Sequence, residues 1–356
     1  MTLAPCTAPF PDLAGAAEPP QAQTSRGPVS EEEGDLLWND GREAAEAGRC
    51  AEAAPKLQRL VDRYPGHAGY VLAHLLLGQC LLQLDDFNAA IASLRFFTSG
   101  SASETTPQAH DLLQRGRVTL GRAYLAAGRG HEAYLTASEI ARHVRKQPDG
   151  GAETSSLEGL LIRSRALILM NQDDRALETL DSASAGIKPG EASLAAEAAW
   201  TRMKLVSRRC ARLPGKGGMD EAQVRDQLGR RGGCVLEATV IAREALMTGA
   251  TDWAKRVEEQ AVEVVGSFHE ACTRAPDPPR SKPRRTAEEL RKYRAELADV
   301  MARDCAGALK GAVTMLDGWK DRVPTQSAPY LKKIRSAYAE QLSRLDHGAA
   351  PGGAGR

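Results

Sequence analysis

One pattern of small residues recurs along the first half of the chain at a nearly constant spacing. In four successive segments a Gly or Ser precedes an Ala by twelve residues, in the pairs Gly41 and Ala53, Gly78 and Ala90, Gly121 and Ala133, and Ser164 and Ala176. The segments start 37, 43 and 43 residues apart. A residue that favours turns lies seven positions after each start, at Gly48, Asp85, Gly128 and Asn171. This self-similarity predicts a repeat architecture in which each unit packs mainly on its neighbours.

The spacing within each segment fits two antiparallel helices joined by a tight turn. A small residue in the first helix would face the small Ala of the second, so that the two helices approach closely. Further residues keep a fixed distance from that crossing, four positions after the Ala, at Leu57, Leu94, Ala137 and Leu180. Because one hairpin cannot bury its apolar stripe alone, we expect the hairpins to stack into an α-solenoid.

The pattern resembles the tetratricopeptide repeat (TPR) over roughly residues 34–185. Two features depart from that repeat. The large aromatic residue expected early in the first helix appears near its place only as Trp38, and the closing proline is clear only at Pro65. The resemblance implies about four units, in which the first helices line a concave groove.

Helical patterns continue after residue 190, although the register of the repeat fades. Thr286 and Glu289, for example, form a capping box at the start of a long amphipathic pattern. No stretch alternates as a strand would, so the predicted fold class is all-α. The chain is predicted to begin with a Pro/Ala-rich disordered arm (1–33), followed by a TPR-like solenoid (34–190). A C-terminal helical region (191–346), which contains a Pro-rich linker (274–285), and a disordered tail (347–356) complete it.

The resemblance also implies which side chains face the groove. The residue after each small starting position points into it, and these residues are Arg42, Gln79, Arg122 and Arg165. Apolar neighbours would add contact area, at Leu75, Leu82, Leu125 and Ile168. Because guanidinium groups form paired bonds with carboxylates, we expect the groove to bind an acidic peptide or a C-terminal carboxylate. In the alternative interpretation, these arginines pair on the surface with Glu43, Glu46 or Glu158.

Six of the seven cysteines can be arranged in pairs from their places in the pattern. Cys50 and Cys80 border the same end of adjacent helices, Cys210 and Cys234 flank one loop, and Cys272 and Cys305 lie in consecutive helices. Disulfides would indicate an oxidising compartment, whereas reduced cysteines would act as small core residues. The seventh, Cys6, follows a Leu-Ala-Pro sequence that resembles a bacterial lipoprotein junction, so lipidation is a hypothesis there and a free thiol is the alternative.

The sequence contains no arrangement of a nucleophile, a base and an oxyanion donor, and no spacing typical of a metal or cofactor site. Lys+Arg and Asp+Glu number 47 and 46, so the charge balance does not favour nucleic acid. We therefore expect a non-enzymatic protein-interaction scaffold, in an accessory role for a bacterial cell-envelope complex. The alternatives are a cytoplasmic adaptor of a signalling protein and an enzyme that uses the C-terminal region. A membrane would be reached only through the lipid anchor.

Overall fold

The computed structural model describes residues 31–100, 107–144, 151–211, 219–274 and 286–348. These residues form helices and no strand, which confirms the all-α fold class. The helices, in chain order, are α1 (Glu31–Glu46), α2 (Cys50–Arg63), α3 (Tyr70–Gln83), α4 (Phe87–Gly100), α5 (Pro107–Ala126), α6 (Gly130–Val144), α7 (Gly151–Leu169), α8 (Asp173–Gly186), α9 (Ala192–Ala211), α10 (Glu221–Met247), α11 (Thr251–Thr273), α12 (Ala287–Asp317) and α13 (Ala328–Gly348).

Parts of the predicted organisation fall outside the described residues. These are most of the arm, the linker after residue 274, the tail beyond residue 348, and Cys6. The first helix begins at Glu31, three residues before the predicted start of the solenoid, and the last ends at Gly348. None of the helices in the described ranges is long and apolar enough to cross a bilayer.

The helices alternate between two layers. Each odd-numbered helix packs on the next odd-numbered one, from α1 through to α13, and each even-numbered helix packs on the odd-numbered helices before and after it. This is a TPR-like α-solenoid of antiparallel helix pairs. In the C-terminal helical region α12 packs on α10 as well as on α11, and α13 packs on both α11 and α12 and closes the stack. The helices of this region are 20 to 31 residues long.

The predicted crossings of small residues are present within the first, second and fourth units, whereas in the third unit Gly121 faces Ile162 of α7. A Cβ atom on Gly78 would lie 2.5 Å from Leu94 Cγ, and one on Gly41 would lie 2.9 Å from Leu57 Cδ2. In the fourth unit, the buried Ser164 hydroxyl donates a hydrogen bond to the carbonyl of Ala176 at 2.8 Å. In this unit the two helices thus approach closely enough for the hydroxyl of Ser164, which replaces the glycine of the other units, to form a hydrogen bond across the crossing.

All four predicted turns have the same backbone geometry. The turn residues have positive φ angles of 72°, 61°, 72° and 59°, at Gly48, Asp85, Gly128 and Asn171. The N–H of the following residue bonds to a carbonyl five positions back, as from Arg49 to Ala44 at 2.8 Å. This is the Schellman motif, which ends a helix by satisfying its last carbonyl groups. Glycine or asparagine suits it because the left-handed region disfavours most side chains.

Three pairs of cysteines lie at disulfide distance within the described part of the chain. Their Cα–Cα distances are 4.8, 6.2 and 6.1 Å for Cys50 and Cys80, Cys210 and Cys234, and Cys272 and Cys305. The first pair joins α2 to α3, and the other two join α9 to α10 and α11 to α12. Each pair thus links helices that are consecutive along the chain.

Candidate partner-binding surface

One side of the odd-numbered layer carries a connected set of charged and aromatic side chains. We define this inner face by Arg122 on α5, Arg165 on α7 and Trp200 on α9. Arg122 contacts Glu197 of α9 across α7, and Arg165 of α7 contacts the same carboxylate. Side chains of three successive odd-numbered helices therefore meet on this face.

Four charged side chains form a network on the inner face. Arg122 Nη2 lies 3.1 Å from Glu158 Oε1 and 3.4 Å from Glu197 Oε2. Arg165 Nη1 lies 2.8 Å from Glu197 Oε1. The side chain of Glu197 is only 2% exposed. A single buried carboxylate therefore joins three successive helices of the inner layer, and each of its oxygens contacts a different guanidinium.

Burial dominates the electrostatics of this network. Burial raises the pKa of the Glu158 carboxyl, and it outweighs the attraction of Arg122, which acts in the opposite direction. Burial likewise lowers the pKa of the Arg165 guanidinium, against the stabilising contact with Glu197. Both shifts disfavour the charged form, as expected for ions withdrawn from water. The network is thus held together by mutual compensation of buried charges.

Two indole rings continue the inner face toward the C-terminal helices. The ring centroids of Trp200 on α9 and Trp253 on α11 lie 5.4 Å apart. Three cations surround them: Arg165 and Lys204 lie 5.0 and 4.6 Å from the Trp200 centroid, and Arg256 lies 4.8 Å from that of Trp253. At these distances the ring quadrupoles attract the cations. We call these five residues the indole site.

The predicted arginine ladder is divided in the structure. Arg122 and Arg165 come together through Glu197, whereas Arg42 contacts Glu46 on its own helix at 3.5 Å. Gln79 is half-buried at the same register position of α3. Arg122 and Arg42 therefore have partners among the carboxylates that the alternative interpretation named.

The predicted apolar contact residues require a correction. Leu75, Leu125 and Ile168 are only 4%, 7% and 5% exposed and pack inside the solenoid, while Leu82 is half-buried. Leu125 and Ile168 lie four positions after Gly121 and Ser164, and Leu75 lies three before Gly78. Residues with these offsets share a helix face with the small residue, and that face is the buried one. The three side chains offer no surface to a partner.

Five residues that complete the surface are not identified by the repeat pattern: Glu197, Trp200, Lys204, Trp253 and Arg256. They lie after residue 190, where the repeat register no longer identifies inner positions. Their spacing was the available signal, because a cation follows each tryptophan by one helical turn, at four and three positions. No group of metal-ligating side chains occurs among the described residues.

The fold and its inner face define the class of this protein as a TPR-like α-solenoid. No protein-family model matches the sequence, and a search of curated proteins finds no significant relative. Among solved structures, the chain is similar to a TPR repeats protein from Bacteroides fragilis, with 15% identity over 74% of this chain and 97% of that one, and a TM-score of 0.30. Because that score is low, the class rests on the helices of this chain, and no function is transferred from the similarity.

Proposed function

We propose that this protein is a non-enzymatic interaction scaffold, which holds an extended segment or a helix of a partner protein on its inner face. The contact between Arg122 and Glu197 across α7 carries the proposal, because it joins side chains of three successive helices into one continuous surface. A continuous surface of stacked helices can contact a peptide with many side chains at once. The indole rings supply large, rigid contact area of the kind that dominates protein interfaces.

The partner's binding segment, in this proposal, is acidic or ends in a free carboxylate. Arg122 and Arg165 already share two carboxylates of the chain itself. An incoming acid would therefore compete with Glu158 and Glu197 at those two arginines. Arg42 is 46% exposed and its contact with Glu46 is a surface ion pair, so it can exchange partners at little cost.

A role beside a cell-envelope complex is the favoured setting of this scaffold. The three cysteine pairs at disulfide distance support it, because disulfides persist in oxidising compartments. The alternative setting is the cytoplasm, where the same sulfurs would remain reduced and the scaffold would hold a signalling protein. The number of free thiols in the denatured, unreduced protein distinguishes the two settings.

Site-specific photo-crosslinking in the native host tests the scaffold itself. A benzophenone amino acid is placed at inner register positions, Arg42 or Gln79, and at exposed positions of the even-numbered layer, Arg59 or Glu178. We expect discrete adducts with a partner protein only from the inner positions, identified by mass spectrometry. Equal adducts from both layers, or none from the inner one, would overturn the proposal.

A further inference from the structure

We infer that the indole site is the anchor of the inner face, and that it binds a side-chain carboxylate, Asp or Glu, next to an aromatic residue in the partner's segment. This inference rests on the proposed function and specifies which residues recognise the partner. It moves the anion-binding role from the arginine ladder to Lys204 and Arg256. These two cations belong to α9 and α11, outside the four units that the sequence indicated.

Lys204 and Arg256 are the cations of the site that no carboxylate neutralises. Neither forms an ion pair with any carboxylate in the described part of the chain, whereas Arg165 contacts Glu197. Glu263 attracts Lys204 through space and accepts a hydrogen bond from Gln260.

The charges of the inner face leave room for one more anion. Its cations are Arg122, Arg165, Lys204 and Arg256. Its carboxylates are Glu158, Glu197 and Glu263. Four against three leaves an excess of one positive charge, and Arg208 nearby is balanced by Asp173 at 3.3 Å. One carboxylate from a partner would complete the balance.

The surroundings of Lys204 disfavour the charged form of its ammonium group. It is half-buried, and burial followed by the neighbouring Arg165 lowers the pKa of its ammonium. An ammonium in this position gains more from an anion than a fully solvated one does, because the anion replaces lost water and opposes the arginines. A bound carboxylate would therefore restore the pKa of Lys204 toward its ordinary value.

The aromatic rings hold the cations in place before the ligand arrives. Contacts with the rings of Trp200 and Trp253 position Lys204 and Arg256, and neither cation is paired with a carboxylate of the described residues. An incoming acid need not displace a partner there, as it must at Arg122. Trp253 is half-buried, and its indole N–H donates to Ser193 Oγ at 3.3 Å, which fixes the ring. An aromatic side chain beside the acid can pack on the remaining exposed part of that ring.

The carboxylates nearby favour a protein ligand over a polyanion. Glu158 lies beside Arg122 and Glu263 lies near Lys204, and both would repel the evenly spaced phosphates of a nucleic acid. The net charge of the whole chain, +1, supplies no wider attraction. A single carboxylate followed by neutral or aromatic residues meets the excess charge without that repulsion.

Selection of random dodecapeptides displayed on phage, against the full chain, tests the inference. We expect the bound peptides to be enriched in an Asp or Glu next to an aromatic residue. The strongest of them is then synthesised with its acids intact and with each acid replaced by its amide. The Lys204→Gln/Arg256→Gln variant should bind the acidic peptide more weakly by about tenfold or more, and should bind the amide peptide as the wild type does.

A matched variant removes the same charges elsewhere. Arg225→Gln/Lys292→Gln changes two exposed cations of the even-numbered helices α10 and α12, and should leave peptide binding unchanged. Circular dichroism melts of both variants check that each is folded. Because the contact is ionic, binding of the acidic peptide to the wild type should weaken as NaCl is raised, while binding of the amide peptide should not.

The outcomes separate the inference from the scaffold proposal. Selected peptides without acidic enrichment, or an acidic peptide that binds the Gln variant as tightly as the wild type, would overturn the anchor, although the scaffold would stand. Displacement of the acidic peptide by oligo-dT of twelve nucleotides at equal concentration would also overturn it, in favour of a nucleic-acid site. Failure to select any peptide, together with no crosslinks from the inner positions, would remove both.

Discussion

The guanidinium of Arg122 on α5 lies 3.4 Å from the carboxylate of Glu197 on α9, although α7 runs between these two helices. Arg165 of α7 contacts the other oxygen of the same carboxylate at 2.8 Å. Three helices of the inner layer therefore depend on one side chain that is 2% exposed. Glu197 thus links the solenoid that the sequence predicted to the C-terminal helices, where the indole site lies.

Replacing Glu197 by Gln should destabilise the protein by about 3–5 kcal/mol, because it leaves the buried Arg165 without its carboxylate and removes one of the two carboxylates beside Arg122. Urea unfolding, followed by circular dichroism, measures the change. Glu46→Gln is the matched control: Glu46 is 60% exposed and pairs only with Arg42, so the same chemical change should cost less than about 1 kcal/mol. Similar losses in the two variants would contradict a buried hub at Glu197.

Glu158→Gln should have a different, pH-dependent effect. The pKa of Glu158 in the folded state is raised above the ordinary value of 4.5, chiefly by burial. The folded state therefore binds more protons than the unfolded state between those two pKa values, and the contribution of Glu158 to stability falls as the pH rises through that window. The amide cannot ionise, so the stability of the variant should not show this decline. The variant should therefore become more stable relative to the wild type as the pH rises from acidic to neutral.

Urea midpoints across pH 4 to 8 measure this difference between the wild type and Glu158→Gln. At neutral pH the variant should be no less stable than the wild type, since the amide oxygen still accepts from Arg122 without the penalty of a buried charge. If instead the urea midpoint of the wild type rises relative to that of the variant as the pH rises, the attraction of Arg122 outweighs burial, and the direction assigned to the pKa of Glu158 is wrong.

The features that the sequence predicted well are those set within one hairpin. The left-handed turns at Gly48, Asp85, Gly128 and Asn171 and the crossings at Gly41 and Gly78 depend on residues sixteen positions apart or fewer. The inner face depends instead on contacts such as Arg122 to Glu197, which are separated by 75 residues. No local pattern encodes them, because they arise only after several hairpins have stacked.

Gly78→Ala tests the crossing directly. The added methyl group would lie 2.5 Å from Leu94 Cγ, and both residues are buried. We expect a loss of about 1–3 kcal/mol from overpacking, despite the better helix propensity of alanine. Gly307→Ala is the control, because a Cβ atom there meets nothing within 4 Å in α12, and it should gain up to about 1 kcal/mol. Opposite signs from one chemical change, measured as urea midpoints, would confirm the crossing, and equal signs would contradict it.

The three cysteine pairs predict a specific thiol count. All six sulfurs belong to residues that are at most 6% exposed, so the folded protein would protect them in either redox state. Alkylation with iodoacetamide in denaturant without reductant is therefore required, followed by intact mass. If the pairs are oxidised, six of the seven cysteines should stay unmodified, and dithiothreitol should release them.

Oxidation should also appear in the stability of the chain. The paired cysteines are 30, 24 and 33 residues apart, and closing loops of this size stabilises a protein by about 3–4 kcal/mol each in the chain-entropy treatment. Reduction should therefore lower the urea midpoint well below that of the untreated protein. Seven alkylated cysteines in protein isolated from its host with thiols blocked during lysis, and a midpoint indifferent to dithiothreitol, would instead favour the cytoplasmic adaptor. The inner face would be common to both settings, because none of its contacts involves a cysteine.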